Sequence, residues 1–211
     1  LELQRKGEAD AFVSAGSTGA VMATSLFKLK TLPGVDRPAV GTLLPTAKEP
    51  CLLVDAGANI DCKPQHLVQF AHLGSIYARE IMGRTEPRIA LLNIGKEPGK
   101  GDELSAAAFR VLNREDGLNF VGNLEGGGII EGVCDVIVCD GFVGNVLLKF
   151  YESVAQFITS LIKKKLDALT ENSLNFEEIF RILDYSETGG APLLGVGGVS
   201  IICHGGSSSK A

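Results

Sequence analysis

The sequence of 211 residues lacks the features of several large protein classes. No apolar run approaches the ~18 residues that span a bilayer, and the first residues do not have the form of a signal peptide. The net charge is −5, which argues against a general nucleic-acid binder, because such proteins carry a basic face. The five cysteines form no CxxC pair, and thiols within apolar segments suit a reducing compartment. We therefore expect a cytoplasmic protein with no nucleic-acid partner.

Motifs for nucleotide binding and serine catalysis are also absent. The sequence contains neither GxGxxG nor GxxxxGK[ST], and the segment GSTG at 16–19 lacks the first spacing. No GxSxG elbow occurs, so a serine hydrolase has no support. His66 and His72 lie six positions apart on one predicted helix, where their side chains point in different directions and do not share a metal. We expect no cofactor and no metal ion.

Glycine, in contrast, is abundant, with 26 residues against about 7% in average proteins. The glycines show no period and form no low-complexity tract. They cluster just after apolar runs, where sharp turns and the close approach of a ligand need a residue without a side chain. This placement indicates a binding crevice.

Short apolar segments alternate with helical patterns along the chain. We predict strands at 11–13, 51–54, 88–92, 118–121, 136–139 and 199–203. One helix is predicted from the turn at 14–19 to about residue 30. Three more are predicted at 64–82, 102–112 and 144–169. Buried strands separated by helices indicate an α/β/α fold, a largely parallel sheet between helices, in one domain over 1–211. The segment 32–50 holds four of the eight prolines and is interpreted as a connection or excursion at a subdomain edge.

Six apolar runs end in a turn that combines glycine with polar residues. In an open α/β sheet, ligands bind beyond the carboxyl ends of the strands, where helix N-termini attract anions. We expect all six turns to line one crevice, although such turns are also common as plain structural connections. The six turns are SAGSTG, DAGANIDCKP, NIGKEPGKG, GNLEGGG, DGFVGN and HGGSSS.

The polar residues of these turns each allow two interpretations. Lys63 and His66 cluster with Asp61 where a phosphate could be held, but the cluster could equally cap a helix. His204 directly follows an apolar run. It could be a functional group, or its ring could simply bond to backbone carbonyls. The asparagines could donate to a carbonyl or phosphate oxygen, or simply shape their turns. These asparagines are Asn59, Asn93, Asn123 and Asn145.

Together the motifs resemble one family in order from about residue 7 to residue 211. The segments DAFVSAGSTGAVMA, VDAGANIDCKP, RIALLNIGKE, GNLEG, CDGFVGN and GGAPLLGVGGVSIICHG are similar to those of the acyl-ACP:phosphate acyltransferase family, also called PlsX. The resemblance implies a fold related to phosphotransacetylases and to the isocitrate dehydrogenase-like group. It also implies a homodimer, a role in starting phospholipid synthesis and loose contact with the membrane surface. Members of this family extend beyond both ends of this chain, so we expect part of the substrate site to be missing.

The resemblance implies transfer of an acyl group from acyl carrier protein (ACP) to inorganic phosphate. Lys63 and His66 are then expected near phosphate, and the turn 14–19 with Asn145 near the thioester. His204 and Ser207 are expected as donors across from them. The residues expected to act in catalysis are Lys63, His66, Asn145 and His204. Those expected to bind substrate are Ser14, Gly16, Ser17, Thr18, Gly19, Asp55, Asn59, Asn93, Asn123, Asp140, Gly141 and Ser207.

Two other functions remain open from the sequence: a non-catalytic acyl- or ACP-binding fragment, and a nicotinamide-dependent β-decarboxylating dehydrogenase on the related fold. ACP is acidic, so docking requires a local basic patch despite the net charge. The candidates are Lys28, Lys30, Arg79, Arg84 and 163–165. An apolar helical stripe predicts a buried core or a dimer interface. Because the lysines at 163–165 lie beside it, the stripe or the segment 166–180 is also expected to contact a membrane. The stripe comprises Leu147, Phe150, Val154, Phe157, Ile158 and Leu161.

Overall fold

A computed structural model of the protein describes residues 1–166 and 190–203. Its strands, in chain order, are β1 Ala11–Ser14, β2 Ala39–Leu44, β3 Cys51–Val54, β4 Arg88–Leu92, β5 Asn119–Leu124, β6 Val136–Val138, β7 Ala191–Leu194 and β8 Val199–Ile202. Its helices are α1 Glu2–Arg5, α2 Thr18–Leu29, α3 Pro64–Glu80, α4 Glu103–Leu112, α5 Gly126–Ile130 and α6 Gly141–Leu166.

The eight strands of the described ranges form one mixed sheet in the order β1-β8-β7-β2-β3-β6-β4-β5. The pairs β1/β8, β3/β6, β6/β4 and β4/β5 are parallel. Those in the middle, β8/β7, β7/β2 and β2/β3, are antiparallel. The predicted α/β class with a mostly parallel sheet is therefore confirmed. Because three antiparallel steps separate β8 from β3, strands β1 and β8 run opposite to β3, β6, β4 and β5.

The two strands that the sequence pattern did not predict are β2 and β7, and they cause this reversal. β2 lies in the proline-containing segment 32–50, which was interpreted as a connection; its run AVGTLL is diluted by Gly41 and Thr42. β7 is only four residues long and contains Pro192, a residue usually confined to sheet edges. Both signals were too weak to predict a strand.

Two hydrophobic clusters lie on opposite faces of the sheet. Alternation along β3 sends Leu52 and Val54 to one face, with α3 and α4, and Cys51 and Leu53 to the other. The second face carries α5, through Ile129, together with α2 and α6. Helices therefore cover both faces, as predicted.

The helix starts follow from their capping residues. Asp102 Oδ1 accepts a hydrogen bond from the Ser105 N–H at 2.8 Å, which confirms the predicted cap of α4. Asp140 Oδ1 accepts from Phe142 N at 2.8 Å and Val143 N at 3.0 Å, so α6 begins three residues before the predicted position. The predicted end of that helix, at 169, lies outside the described residues. Within the described parts of the chain, no helix is long and apolar enough to cross a membrane.

Candidate functional site at the carboxyl edge of β3

The turns that follow β3, β6, β4 and β5 meet at one edge of the sheet, called here the Asp55 edge. Since β1 and β8 run in the opposite direction, their turns leave the sheet at the other edge. The expectation that all six turns line one crevice is therefore wrong. The role of the β1 turn in binding the thioester stays a prediction, separate from the Asp55 edge. This turn contributes Ser14, Gly16, Ser17, Thr18 and Gly19; His204 and Ser207, after β8, lie outside the described residues.

Strands β3 and β6 are neighbours whose following helices cover opposite faces of the sheet. α3 packs on the face of Val54, and α6 packs on the face of Leu53. The connections thus diverge between two adjacent parallel strands, and such a divergence opens a crevice beyond the strand ends. Asp55 and Asp140 stand at the two strand ends that border it.

The Asp55 carboxylate, fully buried, organises the loop that follows β3. Oδ1 accepts from the backbone N–H groups of Val40 (2.9 Å), Gly57 (3.3 Å) and Ala58 (3.1 Å). Oδ2 accepts from the backbone of Asn59 (2.7 Å), from its Nδ2 (2.9 Å) and from Ala58 N (3.1 Å). Burial raises the pKa of Asp55, and these hydrogen bonds oppose that shift. The loop's N–H groups therefore hold Asp55 and do not face a ligand.

Two glycines bring the first turn of α6 against this loop. Gly141 N donates to Asn59 O at 2.7 Å, and a Cβ on Gly141 would lie 2.7 Å from Asp55 Oδ2. A Cβ on Gly144 would overlap the Asp55 carbonyl oxygen. Gly141 and Asn59 were expected to bind substrate, and the structure gives both a role in holding the loop. Substrate binding by either stays a prediction.

Asn145 follows these glycines and remains exposed at the crevice. Gly57 has φ +128°, and a Cβ there would lie 3.3 Å from Asn145 Cβ. The absence of a side chain at 57 therefore lets Asn145 lie directly against the loop. Within residues 1–166 and 190–203 its carboxamide makes no hydrogen bond, so this exposed group can donate to a ligand.

His66 caps the N-terminus of α3 and is only 5% exposed. Its Nδ1 accepts from the Lys63 N–H at 3.1 Å, which leaves the hydrogen of the neutral ring on Nε2. Burial, and then the charge of Arg37, lowers the pKa of His66; Asp36 opposes this and Lys63 adds to it. The capping interpretation is therefore confirmed, and the ring retains one donor, Nε2–H.

Arg37 joins Lys63 and His66 at this helix start, although the sequence did not indicate it. Its Nη1 donates to Asp61 O at 2.7 Å, which holds the segment before β2 against the loop after β3. Lys63 is exposed beside it. Arg37 lies outside all six turns, and only the unpredicted strand β2 brings it here. We call Arg37, Lys63 and His66 the basic cluster.

The side-chain amides of Asn93 and Asn123 hold a loop at the Asp55 edge. Asn93 Nδ2 donates to Lys100 O at 3.0 Å, and its Oδ1 accepts from Ile94 N at 2.8 Å. Asn123 Nδ2 donates to Glu97 O at 2.8 Å. The turn-making interpretation of these two asparagines is confirmed, since both hold the segment 94–101.

A cleft of about 380 Å³ opens at the Asp55 edge between the ends of β4 and β6. Its walls come from α3, α4, α6 and the β4 turn. Of the predicted residues, Asn93 and Asp140 line it.

The dehydrogenase alternative would need clustered acidic side chains to hold a metal. Asp135 lies at the amino end of β6, five residues before Asp140, and its two carboxylate oxygens each accept from Arg88 at 3.0 Å. The two aspartates are thus at opposite ends of one strand. Among residues 1–166 and 190–203, no group of three or more His, Cys, Asp or Glu comes together as a metal site.

Two variants separate the capping role of His66 from any contact with a ligand. His66→Ala should lower the free energy of unfolding by about 1 kcal/mol, the usual effect of losing a cap. His66→Gln should keep most of that stability, because glutamine at this helix position can accept from the same N–H. We expect His66→Ala to lose turnover in the full-length protein, because no donor replaces Nε2–H, and His66→Gln to retain part of it, because its side-chain amide still donates from a shifted position. Urea unfolding and initial rates measure the two effects, and full turnover by His66→Ala would reduce His66 to a cap.

Comparison with known sequences relates the whole chain to one family. Residues 1–211 match the family model described as fatty acid synthesis protein. The phosphate acyltransferase of Desulforamulus reducens is 52% identical, over 100% of this chain and 65% of that protein. That of Heliobacterium modesticaldum is 53% identical, over 99% of this chain and 64% of that protein. The chain therefore spans just under two thirds of the length of these relatives.

Solved structures show the same fold. A phosphotransacetylase from Streptococcus pyogenes aligns over 98% of this chain and 60% of its own, with a TM-score of 0.61 and 20% identity. A branched-chain phosphotransacylase from Enterococcus faecalis V583 aligns over 99% of this chain and 72% of its own, with a TM-score of 0.60 and 16% identity. At these identities, the likeness establishes the architecture alone.

Proposed function

The chain belongs to the fatty acid synthesis protein family that includes these phosphate acyltransferases, and from that membership we propose its reaction. The whole protein transfers a fatty acyl group from ACP to inorganic phosphate, giving acyl phosphate for phospholipid synthesis. An oxygen of hydrogen phosphate attacks the thioester carbon, and the carbon–sulfur bond then breaks. The proton of hydrogen phosphate ends on the thiol of ACP, so atoms and charges balance.

The reaction depends mainly on positioning phosphate against the thioester and on stabilising the negative charge that develops on the carbonyl oxygen. A thiol has a reference pKa near ~8.5, so the thiolate leaves without a strong acid catalyst. Donors aimed at the developing oxyanion should therefore dominate, and a single donor contributes on the order of 3 kcal/mol. No enzyme nucleophile is needed.

The observation that carries the proposal is the basic cluster at the Asp55 edge. Lys63 and Arg37 supply positive charge, His66 supplies a neutral donor, and all three stand at the start of α3. A helix start adds a partial positive charge to theirs. We assign phosphate to this cluster and the thioester carbonyl to Asn145, across the Asp55 loop.

The proposal is tested by phosphate-dependent release of free ACP from acyl-ACP, using the full-length protein. Acyl phosphate should appear in equal amounts. Release that needs no phosphate would identify a hydrolase instead. Binding of acyl-ACP with no release at all would favour the non-catalytic alternative.

The end of α2 is a surface that suits an acidic partner such as ACP. Lys30 O accepts from Gly197 N at 3.0 Å, beyond the end of β7 and thus at the Asp55 edge. The ammonium groups of Lys28 and Lys30 lie 5.6 and 5.4 Å from the centre of the Phe27 ring. Lys28 also contacts Glu2 at 2.8 Å, so Lys30 is the less neutralised charge.

Reversal of both charges, Lys28→Glu with Lys30→Glu, should weaken ACP binding in the full-length protein. We expect about tenfold at low ionic strength and little effect above roughly 0.5 M salt, because exposed charges are screened. Lys48→Glu is the matched control, since this exposed lysine lies between β2 and β3 at the opposite edge. Equal weakening by the control would remove α2 from the docking surface.

The homodimer and the membrane contact are also proposals. Phe150, Phe157 and Leu161 are 64%, 61% and 47% exposed along α6, so this part of the stripe is not buried in the core. An apolar stripe of this kind suits a second copy of the chain. A membrane contact needs basic residues beside an apolar face. The exposed Lys164 at the end of α6 supplies one next to that stripe. The segment 166–180 lies almost wholly outside the described residues.

A further inference from the structure

The cleft between β4 and β6 is separate from the basic cluster but shares a helix with it. Leu67, which directly follows His66 in α3, forms part of its wall. Leu92 at the end of β4 and the exposed side chains of Ile94 and Val143 supply the other apolar surface, with Leu91 buried behind them. A ligand in the cleft would therefore lie one residue along α3 from the group assigned to phosphate.

The mouth of the cleft is unsuited to an anion. Two helices begin there, but their N–H groups already bond to the carboxylates of Asp102 and Asp140. The bond from the Ser105 N–H lowers the pKa of Asp102, so this carboxylate is charged at neutral pH. The carboxylates disfavour phosphate, and the apolar side chains of the cleft favour a hydrocarbon.

The volume of the cleft, about 380 Å³, lies in the range of small-ligand sites. An open cleft of this size takes part of a linear hydrocarbon chain.

We propose that this cleft binds the acyl chain of the substrate and that Val143 limits how the chain lies in it. The inference rests on the proposed acyl transfer and deepens it by naming the subsite for the chain. The α3 helix then places the two substrates side by side, phosphate at its basic start and hydrocarbon against Leu67.

The test compares acyl-ACP donors of four and twelve carbons in the full-length protein carrying Val143→Phe. Each methylene displaced from the cleft contributes about 0.8 kcal/mol, or about fourfold. With two methylenes displaced, the ratio of kcat/KM for the long donor to that for the short donor should fall about 15-fold. Val146→Phe is the matched control, because Val146 is an exposed valine one turn along α6 that does not line the cleft. The control should change the ratio by less than about twofold.

The outcomes separate this inference from the proposed function. An equal loss with both donors would overturn the acyl subsite while leaving acyl transfer intact, and would place the pantetheine arm or another ligand there. No phosphate-dependent transfer by the unmodified protein, with either donor, would overturn the proposed function itself. If Val143→Phe lowers the melting temperature, Val143→Ala provides the second measurement. Because alanine removes part of the cleft wall, kcat/KM should then fall by a smaller factor, still mainly for the twelve-carbon donor.

Discussion

Replacement of Asp55 by alanine is expected to lower the free energy of unfolding of the protein by about 3–5 kcal/mol. The carboxylate is fully buried and accepts from the backbone of Val40, Gly57, Ala58 and Asn59. Alanine leaves these donors unpaired in the interior, where each unsatisfied group costs about 1–3 kcal/mol. Water entering the space would satisfy some of them, so the individual costs do not simply add.

Asp55→Asn and Asp61→Ala make this prediction specific. Asparagine keeps one acceptor oxygen but turns an amide donor toward other donors, so it should fall between the parent and alanine. Asp61 is an exposed aspartate at the far end of the same loop, and its replacement by alanine should stay within about 0.5 kcal/mol. Urea unfolding followed by circular dichroism gives all three values. A loss below about 1 kcal/mol for Asp55→Ala would mean that the carboxylate does not hold the loop.

Much of the fold could be predicted because its central strands are continuously apolar. Leu52, Leu53, Val136 and Ile137 are all fully buried, and a strand covered on both faces has no polar side in its pattern. The capping aspartate at 102 likewise acts locally, so its sequence position was sufficient. Local patterns of this kind do not depend on which strands become neighbours.

The arrangement of the sheet could not be predicted, because it depends on pairing between distant segments. β2 pairs with β3 and with β7, and these antiparallel contacts reverse the direction of β8. The pattern of glycine-bearing turns is the same whichever way a strand points. The sequence therefore identified the turns but wrongly joined those after β1 and β8 to the crevice at β3.

The candidate site shows the same division between local and distant information. Lys63 and His66 were found because both lie in one turn, three residues apart. Arg37 was missed because only the folding of β2 brings it beside them. The asparagine amides at 93 and 123 were ambiguous in sequence, and their partners, Lys100 and Glu97, appear only in the folded loop.

Replacement of Lys63 by alanine should reduce phosphate-dependent turnover of the full-length protein by about 100-fold, the usual effect of losing one charged donor near the reacting group. Lys63 is the exposed cation of the basic cluster, and its backbone N–H is held by His66 Nδ1 at 3.1 Å. The side chain contributes no hydrogen bond to that cap, so stability should change by less than about 0.5 kcal/mol. The expected loss is in kcat/KM for phosphate, with the affinity for acyl-ACP unchanged.

Steady-state rates at varied phosphate, with acyl-ACP saturating, separate this role of Lys63 from a general loss of structure. Lys63→Arg keeps the charge and should retain part of the turnover, although its planar group donates in a different geometry. Lys48→Ala removes an exposed lysine at the opposite edge of the sheet and should leave every rate unchanged. If Lys63→Ala remains within about threefold of the parent, the deficit is below ~1 kcal/mol and the assignment of phosphate to Lys63 is wrong. His66 and Arg37 would then be the remaining donors of the basic cluster. A loss of phosphate-dependent turnover in variants of these two residues, without one at Lys63, would place the phosphate nearer the start of β2.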